Sequence, residues 1–285
     1  MLGTLHNDAY FARMAASLGD KARLIEWLVP GTTIDVGAGD GGLVRAIGER
    51  AGYVAYGVDA SEAAVARSDG SVRFGSSPGL RTAFPEVEQV ENVVMSAVLH
   101  EIHSYAQPHG LAVSEEAVAE AAAWLSPGGR LLIRDGVGPD DPETELRVRF
   151  VDPSHGAAFH AAWHEISQQL GPERASARTR IEPEDGCLYG TARDITAFLV
   201  VFVWGEGSLA REAQEDYTCA GALGVRADQL AAWTGLQVIH TESYTQPGYI
   251  EHWEKLCSVE QLTGDEDGWV RRDWPATNAM WILEN

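Results

Sequence analysis

The sequence predicts an α/β protein built on a doubly wound, mostly parallel β-sheet, and three stretches carry that prediction. Residues 32–59 read as strand, glycine-rich turn, helix, second strand and terminal acid. Asn92–Leu99, NVVMSAVL, is nearly all apolar, as a central parallel strand buried on both faces must be. Ser126-Pro127-Gly128-Gly129 closes a helical stretch and opens the apolar run Arg130–Arg134. Strands alternating with helical segments are the pattern of βαβ units.

The first stretch also carries chemistry. Thr32–Val36 is β-prone, and Gly37, Gly39, Gly41 and Gly42 follow it. Leu43, Val44 and Ile47 then suit a helix packed on a sheet, Tyr53–Val58 reads as the next strand, and Asp59 sits at its end. Glycines here let the backbone approach a ligand, with a helix N-terminus behind them. An acid about 20 residues past the turn is placed to accept hydrogen bonds from ribose hydroxyls. The glycines run Asp35-x-Gly37-x-Gly39-x-Gly41, with the acid leading them. A carboxylate there repels a pyrophosphate and suits a ligand carrying a cationic amine.

This turn resembles motif I of the class I S-adenosylmethionine (SAM)-dependent methyltransferases. WLSPGGRLLIRDG, residues 124–136, independently resembles the L-x-P-G-G-x-L-x segment that precedes strand five in that family. The resemblance implies a seven-stranded sheet of the class I methyltransferase type, SAM as cofactor, and an enzyme that transfers its methyl group. It places Gly37, Ala38, Gly39 and Ser96 at the cofactor, Asp35 near the methionine amine, and Asp59 with Ala60 at the ribose. The loop after strand three, which often meets the adenine amine in the family, is Gly75-Ser76-Ser77-Pro78 here. It has no acid, so Ser76 is the candidate.

The remaining elements follow in order. Residues 7–28 read as a helix, with Tyr10, Met14, Leu18, Ile25 and Leu28 at helical spacing and Pro30-Gly31 as its stop. In the family such a helix covers the cofactor cleft, which makes Tyr10, Arg13 and Lys21 candidates to reach it. Arg13 is suited to the methionine carboxylate, against its reading as a surface arginine. Ser61 caps a helix over 61–69, and Val72–Phe74 is the third strand. Strand four runs into His100-Glu101-Ile102-His103-Ser104-Tyr105, where a doubly wound fold places its ligand. His100 and His103 are the candidate bases for an acceptor proton, with Glu101 to orient one of them or meet the substrate. Against this stands the reading that His100 only ends the strand and packs beside the cofactor, since methyl transfer often needs positioning more than a base.

Ser114–Leu125 is expected as a helix capped by Ser114, and Asp135 ends strand five as a candidate acceptor contact or a turn residue. Residues 138–224 are expected as a helical insertion after strand five, forming an acceptor lid. Within it, Glu143–Phe150 reads as strand or short helix, Phe159–Leu170 as helix, and Thr191-x-x-Asp194 as a capping box before Ile195–Trp204. SLAREAQEDYTCAGAL, residues 208–223, is expected to be helical. The insertion's aromatics, among them Phe159, Trp163, Tyr189, Phe198 and Phe202, line an acceptor site or form the insertion's own core. His160 and His164 share a helix face, but Glu165 is misplaced for H-E-x-x-H and no cysteine is near. They are read as surface histidines, and no metal site is assigned. Val225–Trp233 is the last helix, Leu236–Tyr244 and Thr277–Glu284 are strands six and seven, and the acidic GDEDGWVRRD stretch is a solvated loop. The expected organisation is a single methyltransferase domain over 1–285: covering helix 1–30, SAM-binding core 31–137, insertion 138–224 and C-terminal portion 225–285.

Composition narrows the partners. The 285 residues are 45% hydrophobic, enough for a substantial core, and no 18-residue apolar run exists to span a membrane. Cys187, Cys219 and Cys257 are far apart, which fits a reduced, cytoplasmic protein without thiolate metal sites. A formal net charge of −21 opposes attraction to a phosphate backbone. The segment after strand four lacks the Asn/Asp-Pro-Pro-Tyr/Phe pattern and the Pro-Cys pair of DNA methylation. The expected acceptor is an oxygen or nitrogen of a small molecule or peptide. An RNA or tRNA methyltransferase and a noncatalytic SAM-binding module are the alternatives.

Overall fold

The computed structural model describes residues 17–106, 109–169, 182–222, 224–263 and 268–285. They divide into two compact units where one domain is expected. The first holds the described residues up to Asp135 together with Val225–Glu242 and Ala279–Asn285, and the second holds Gly136–Gly224 and Ser243–Asn278.

The first unit is organised on the seven-stranded sheet that the sequence predicts. Its strands are β1 (Gly31–Val36), β2 (Tyr53–Asp59), β3 (Val72–Phe74), β4 (Val90–Ser96), β5 (Leu125–Gly136), β9 (Gln237–Tyr244) and β12 (Asn278–Glu284), in the order β3-β2-β1-β4-β5-β12-β9. The pairs β1·β2, β2·β3, β1·β4 and β4·β5 are all parallel. The order reverses between β1 and β4, and a doubly wound sheet opens a crevice at the carboxyl ends of the strands at such a point. β4 is apolar because it is central: Val93, Val94 and Met95 are fully buried. Its polar exception, Asn92, is satisfied by Val29 N and O and by the Thr33 hydroxyl.

Short helices serve these strands. α1 (Leu18–Lys21) runs into a 3-10 turn over Ala22–Trp27, and α2 (Gly42–Gly48) follows the glycine turn with Leu43, Val44 and Ile47 buried. α3 (Glu62–Val65) is capped by Ser61, whose hydroxyl accepts from Ala64 N, but it stops after one turn. α4 (Leu80–Ala83) follows β3, α5 (Leu99–Tyr105) follows β4, and α10 (Ala227–Thr234) precedes β9. α6 (Leu111–Ala122) starts three residues before the expected Ser114 cap. Gly110 occupies the cap, and Ser114 is a buried position inside the helix.

The second unit holds helices in the insertion expected over 138–224, but strands as well. It builds its own five-stranded sheet, β11-β10-β6-β8-β7, from β6 (Glu145–Phe150), β7 (Glu182–Glu184), β8 (Cys187–Thr191), β10 (Cys257–Leu262) and β11 (Trp269–Arg271). All the pairings described are antiparallel. The signal is the period-two alternation of ELRVRF, which buries Leu146, Val148 and Phe150 and turns Arg147 and Arg149 outward. Trp269–Arg271 is likewise a strand where the sequence suggests loop: Trp269 lies under the Arg147 guanidinium at 4.7 Å and edge-on to Tyr189. Among the described residues of the 208–223 stretch, α-helix is confined to α9 (Leu209–Glu212), because Asp216 folds the chain into a turn by accepting from Thr218 N and Oγ1.

α7 (Pro153–Gln169), α8 (Ala192–Trp204) and α11 (Pro247–Leu256) complete this unit. α8 starts at Thr191, whose side chain accepts from Asp194 N as the capping pattern predicts. Phe159, Trp163, Phe198 and Phe202 are core residues rather than a ligand lining, and Phe198 meets both Phe159 and Trp163 edge-on. His160 is not a surface residue: it is buried against Trp163 and Phe198, and desolvation holds its pKa below the usual value. No helix among the described residues is long and apolar enough to cross a membrane.

Candidate functional site

The crevice at the β1/β4 reversal holds two adjoining cavities, of about 130 Å³ and about 340 Å³. They share Gly37, Asp59, Val98 and Glu101 as a common wall. The smaller is lined further by Lys21, Asp35, Ala38, Gly39, Asp40, Arg45 and Ser96. The larger takes Ala60, Ser61, Ser76, Ser77, Ile102 and Tyr105. Every described cofactor residue predicted from the sequence therefore lies on this pair of cavities. Tyr10 and Arg13 lie outside the described residues.

The glycine turn is shaped by its bonds to β2. Gly37 N and Ala38 N both donate to Val58 O, at 2.9 and 3.1 Å. Gly37 has φ +71, and a Cβ there would collide with Val98. Conformation and space thus both demand glycine. Asp59 closes the turn from the other side: Oδ2 accepts from Gly39 N and Oδ1 from Ser61 N, each at 2.8 Å. One carboxylate thereby fixes the glycine turn and the start of α3, and Asp59 lines both cavities.

Charge is concentrated in the smaller cavity. Asp35 is buried at the end of β1, and its pKa is raised to about 7. Burial is the main cause, Lys21 opposes it and Asp59 adds to it. The Lys21 ammonium is held below its ordinary pKa by burial and by the Arg134 charge, against the pull of Asp35, Glu101 and Asp40. α1 is fastened where it presents Lys21: Arg134 Nε donates to Asp20 at 2.9 Å, and Arg23 grips Glu242 on β9 through two bonds of 2.8 and 2.7 Å. Ser96 and Ser77 add polarity, one to each cavity, and their buried hydroxyls have no hydrogen-bond partner among the described residues. Unmet hydroxyls are costly in a dry site, so each cavity is prepared for a polar ligand.

Strain marks the same place. Ala97, between Ser96 and Val98, has φ +57, a conformation that a side chain disfavours, and its N–H donates to Arg134 O at 2.7 Å. The bend turns the chain from β4 into α5, and helical spacing then sorts the predicted catalytic trio. Val98, Glu101, Ile102 and Tyr105, at i, i+3, i+4 and i+7, form the face on the cavities. His100 and His103 fall on other faces. His100 is buried with Nδ1 at 2.5 Å from Asp135, and His103 Nδ1 is 3.3 Å from the Ser114 hydroxyl on α6. Asp135 is fully buried on His100. Sequence reasoning left Asp40, Arg45, Ser77 and Tyr105 unassigned. Only Tyr105 had a legible signal, its place one turn beyond Glu101 and Ile102. The loop carrying Ser76 and Ser77 is braced from α6 by Glu120, which accepts from Gly79 N and Leu80 N.

These features fit SAM: an acid on the shared wall, an opposite-charge pair at one end, and a small-residue loop with an unmet hydroxyl at the other. The methyltransferase-domain family profile matches residues 9–170. Among solved structures, the chain is similar to a Burkholderia thailandensis 1,6-didemethyltoxoflavin-N1-methyltransferase with bound 1,6-didemethyltoxoflavin and S-adenosylhomocysteine. That match has 13% identity and a TM-score of 0.48, covering 98% of this chain and 81% of that one. It is also similar to a putative sarcosine dimethylglycine methyltransferase from Galdieria sulphuraria, with 14% identity, a TM-score of 0.44, and 96% and 85% covered. No curated protein matches the chain. With its parallel sheet, its cavity pair and a family match spanning more than half its length, the chain belongs to the class I SAM-dependent methyltransferases and has SAM as its cofactor.

Proposed function

We propose that the enzyme methylates an oxygen or nitrogen of a small-molecule or peptide acceptor. The observation that carries this reading is the shared wall of Gly37, Asp59, Val98 and Glu101 between a charged cavity and a larger, less polar one. A molecule with an amino-acid end and a nucleoside end would span that wall. Lys21 and Asp35 would hold the amino-acid carboxylate and amine, Asp59 the ribose hydroxyls, and Ala60, Ser76 and Ser77 the adenine. SAM, when bound, supplies a sulfonium methyl to the acceptor's lone pair, and the bonding pair of the broken S–C bond returns to sulfur.

The chain's own residues do the rest. Glu101 faces the cavities from α5 and is the carboxylate placed to orient the acceptor or balance a positive charge there. His100 and His103, the bases expected from the sequence, line neither cavity, which favours positioning of the acceptor over its deprotonation by either ring. His103, bonded towards α6, supports the helix. The formal net charge of −21 favours a small molecule or peptide over RNA. A structure with S-adenosylhomocysteine tests this arrangement. Adenine beside Ser76 and ribose on Asp59 is the expected result, and a ligand lying outside both cavities would overturn it.

A further inference from the structure

One wall of the larger cavity is the short loop of residues 75–78, which joins β3 to α4. The loop is pinned at both ends. Gly75 N donates to Asp59 O at 3.0 Å, which ties its start to β2. At its far end Gly79 N donates to both carboxylate oxygens of Glu120, at 2.9 and 2.8 Å, and Leu80 N donates to Oε1 at 2.9 Å. The first pin is backbone on backbone. The second is one side chain that reaches in from the last turn of α6, 41 residues along the chain from Gly79. Glycine has the most conformational freedom to lose, so Gly79, at φ +117, needs an outside bond to stay in place. Between the pins the Ser77 hydroxyl is buried without a partner among the described residues, so no bond of its own fixes its direction.

Two other bonds join this region to the C-terminal end of α6, and they show what Glu120 adds. Arg81 Nη2 donates to Ala123 O at 2.9 Å, and Trp124 Nε1 donates to Val87 O at 3.1 Å. Both fasten the segment behind the loop. Glu120 instead grips the residue at which the cavity wall ends. Its partners are backbone N–H groups, so it sets the path of the chain rather than the rotamer of one side chain.

We propose that Glu120 is a positioning residue: it holds residues 75–79 in shape before the cofactor arrives, and so sets the affinity for the cofactor's nucleoside end. This rests on the reading that the nucleoside end occupies the larger cavity. A loop ordered in advance loses little further freedom on binding, whereas a loose loop subtracts its ordering from the affinity. Glutamine should substitute for Glu120, because Oε1 already accepts from both N–H groups and an amide oxygen has two lone pairs. Alanine should not.

The test is S-adenosylhomocysteine affinity by calorimetry for wild type, E120A, E120Q and R81A, with folding checked by thermal melts. The proposal expects affinity about tenfold weaker in E120A, and within about threefold of wild type in E120Q and R81A. R81A removes a bond of the same segment without touching the loop, so it reports what general loosening does. Wild-type affinity in E120A, an equal loss in R81A, or a loss in E120Q as large as in E120A would overturn the proposal. Amide hydrogen exchange on the ligand-free wild type keeps it exposed even if E120A does not fold. Protected Gly79 and Leu80 amides are expected, and exchange at the rate of an open loop would overturn it. The structure with S-adenosylhomocysteine locates the adenine separately. Adenine in the larger cavity with unchanged affinity in E120A sinks the role of Glu120 alone, whereas adenine elsewhere sinks the reading on which it rests.

Discussion

The two sheets of this chain are built on opposite principles. The seven-stranded sheet of the first unit is mostly parallel, its central strand is buried on both faces, and its chemistry lies where β1 and β4 end. The five-stranded sheet of the second unit is antiparallel in every described pairing, with an aromatic core under one face and Arg147, Tyr189, Glu260 and Trp269 away from that core. A parallel sheet must place its loops at the strand ends, so ligand residues cluster there and leave compact motifs. An antiparallel sheet with one covered face needs only alternation and a few aromatics, and such signals are short and easily read as helix or loop.

Substitutions in each unit test this contrast, and the largest effect is expected in the aromatic core. Phe198→Ala should cost about 3–5 kcal/mol in urea unfolding, because its ring sits among Phe150, Phe159, Trp163 and Phe202. A loss below about 1 kcal/mol would mean that the cluster is not the packed core of the second unit.

Next comes the shared wall of the cavities. Asp59→Ala removes the acceptor of Gly39 N and Ser61 N and the proposed ribose contact together. Hydrogen bonds to charged groups contribute roughly 1.5–3 kcal/mol each, so SAM affinity should fall at least about tenfold in calorimetry. Unchanged affinity would sink the ribose assignment.

A smaller contrast lies within α5. Glu101→Gln should change SAM or acceptor handling because Glu101 lines both cavities, whereas His103→Ala should cost no more than about 1 kcal/mol of stability and leave SAM affinity alone. The reverse ranking in binding titrations would reassign the cofactor face of the helix.

The last effect depends on pH and concerns Asp35. Its pKa of about 7 in the folded protein lies above the ordinary 3.8, so the native state binds this proton more tightly than the unfolded chain. Its contribution should therefore weaken stability of the ligand-free protein as pH rises from about 4 to about 7. Asp35→Asn should flatten that part of the melting-temperature profile and weaken SAM binding. A profile identical to wild type would show that Asp35 is not the buried acid described.

Much of the first unit was legible because local rules and global fold agree there. The bounds of β1, β2 and β3 follow from β-prone runs stopped by glycine or an acid, and Asp59 is recognisable by its distance from the turn. Lys21 could be named from its helix, but its place beside Asp35 depends on Asp20 and Arg23 bonding to Arg134 and Glu242, more than 100 residues away in each case. The start of α6 was misread because Ser114 mimics a cap while Gly110 provides it. In the second unit β6 was ambiguous, β11 was hidden in an acidic stretch, and β10 could not be paired without knowing that it lies beside β6.

The sequence by itself determined the parallel sheet and, through its resemblance to a known family, the cofactor class, because the motifs that carry both are compact stretches of chain. Only the tertiary structure decided that Glu101, rather than either histidine, lines the cavities, and that Asp135 holds His100. The bend at Ala97 sets the rotation of α5, and β5 delivers Asp135 to it from 35 residues away. No local pattern encodes the phase of a helix relative to a distant strand end.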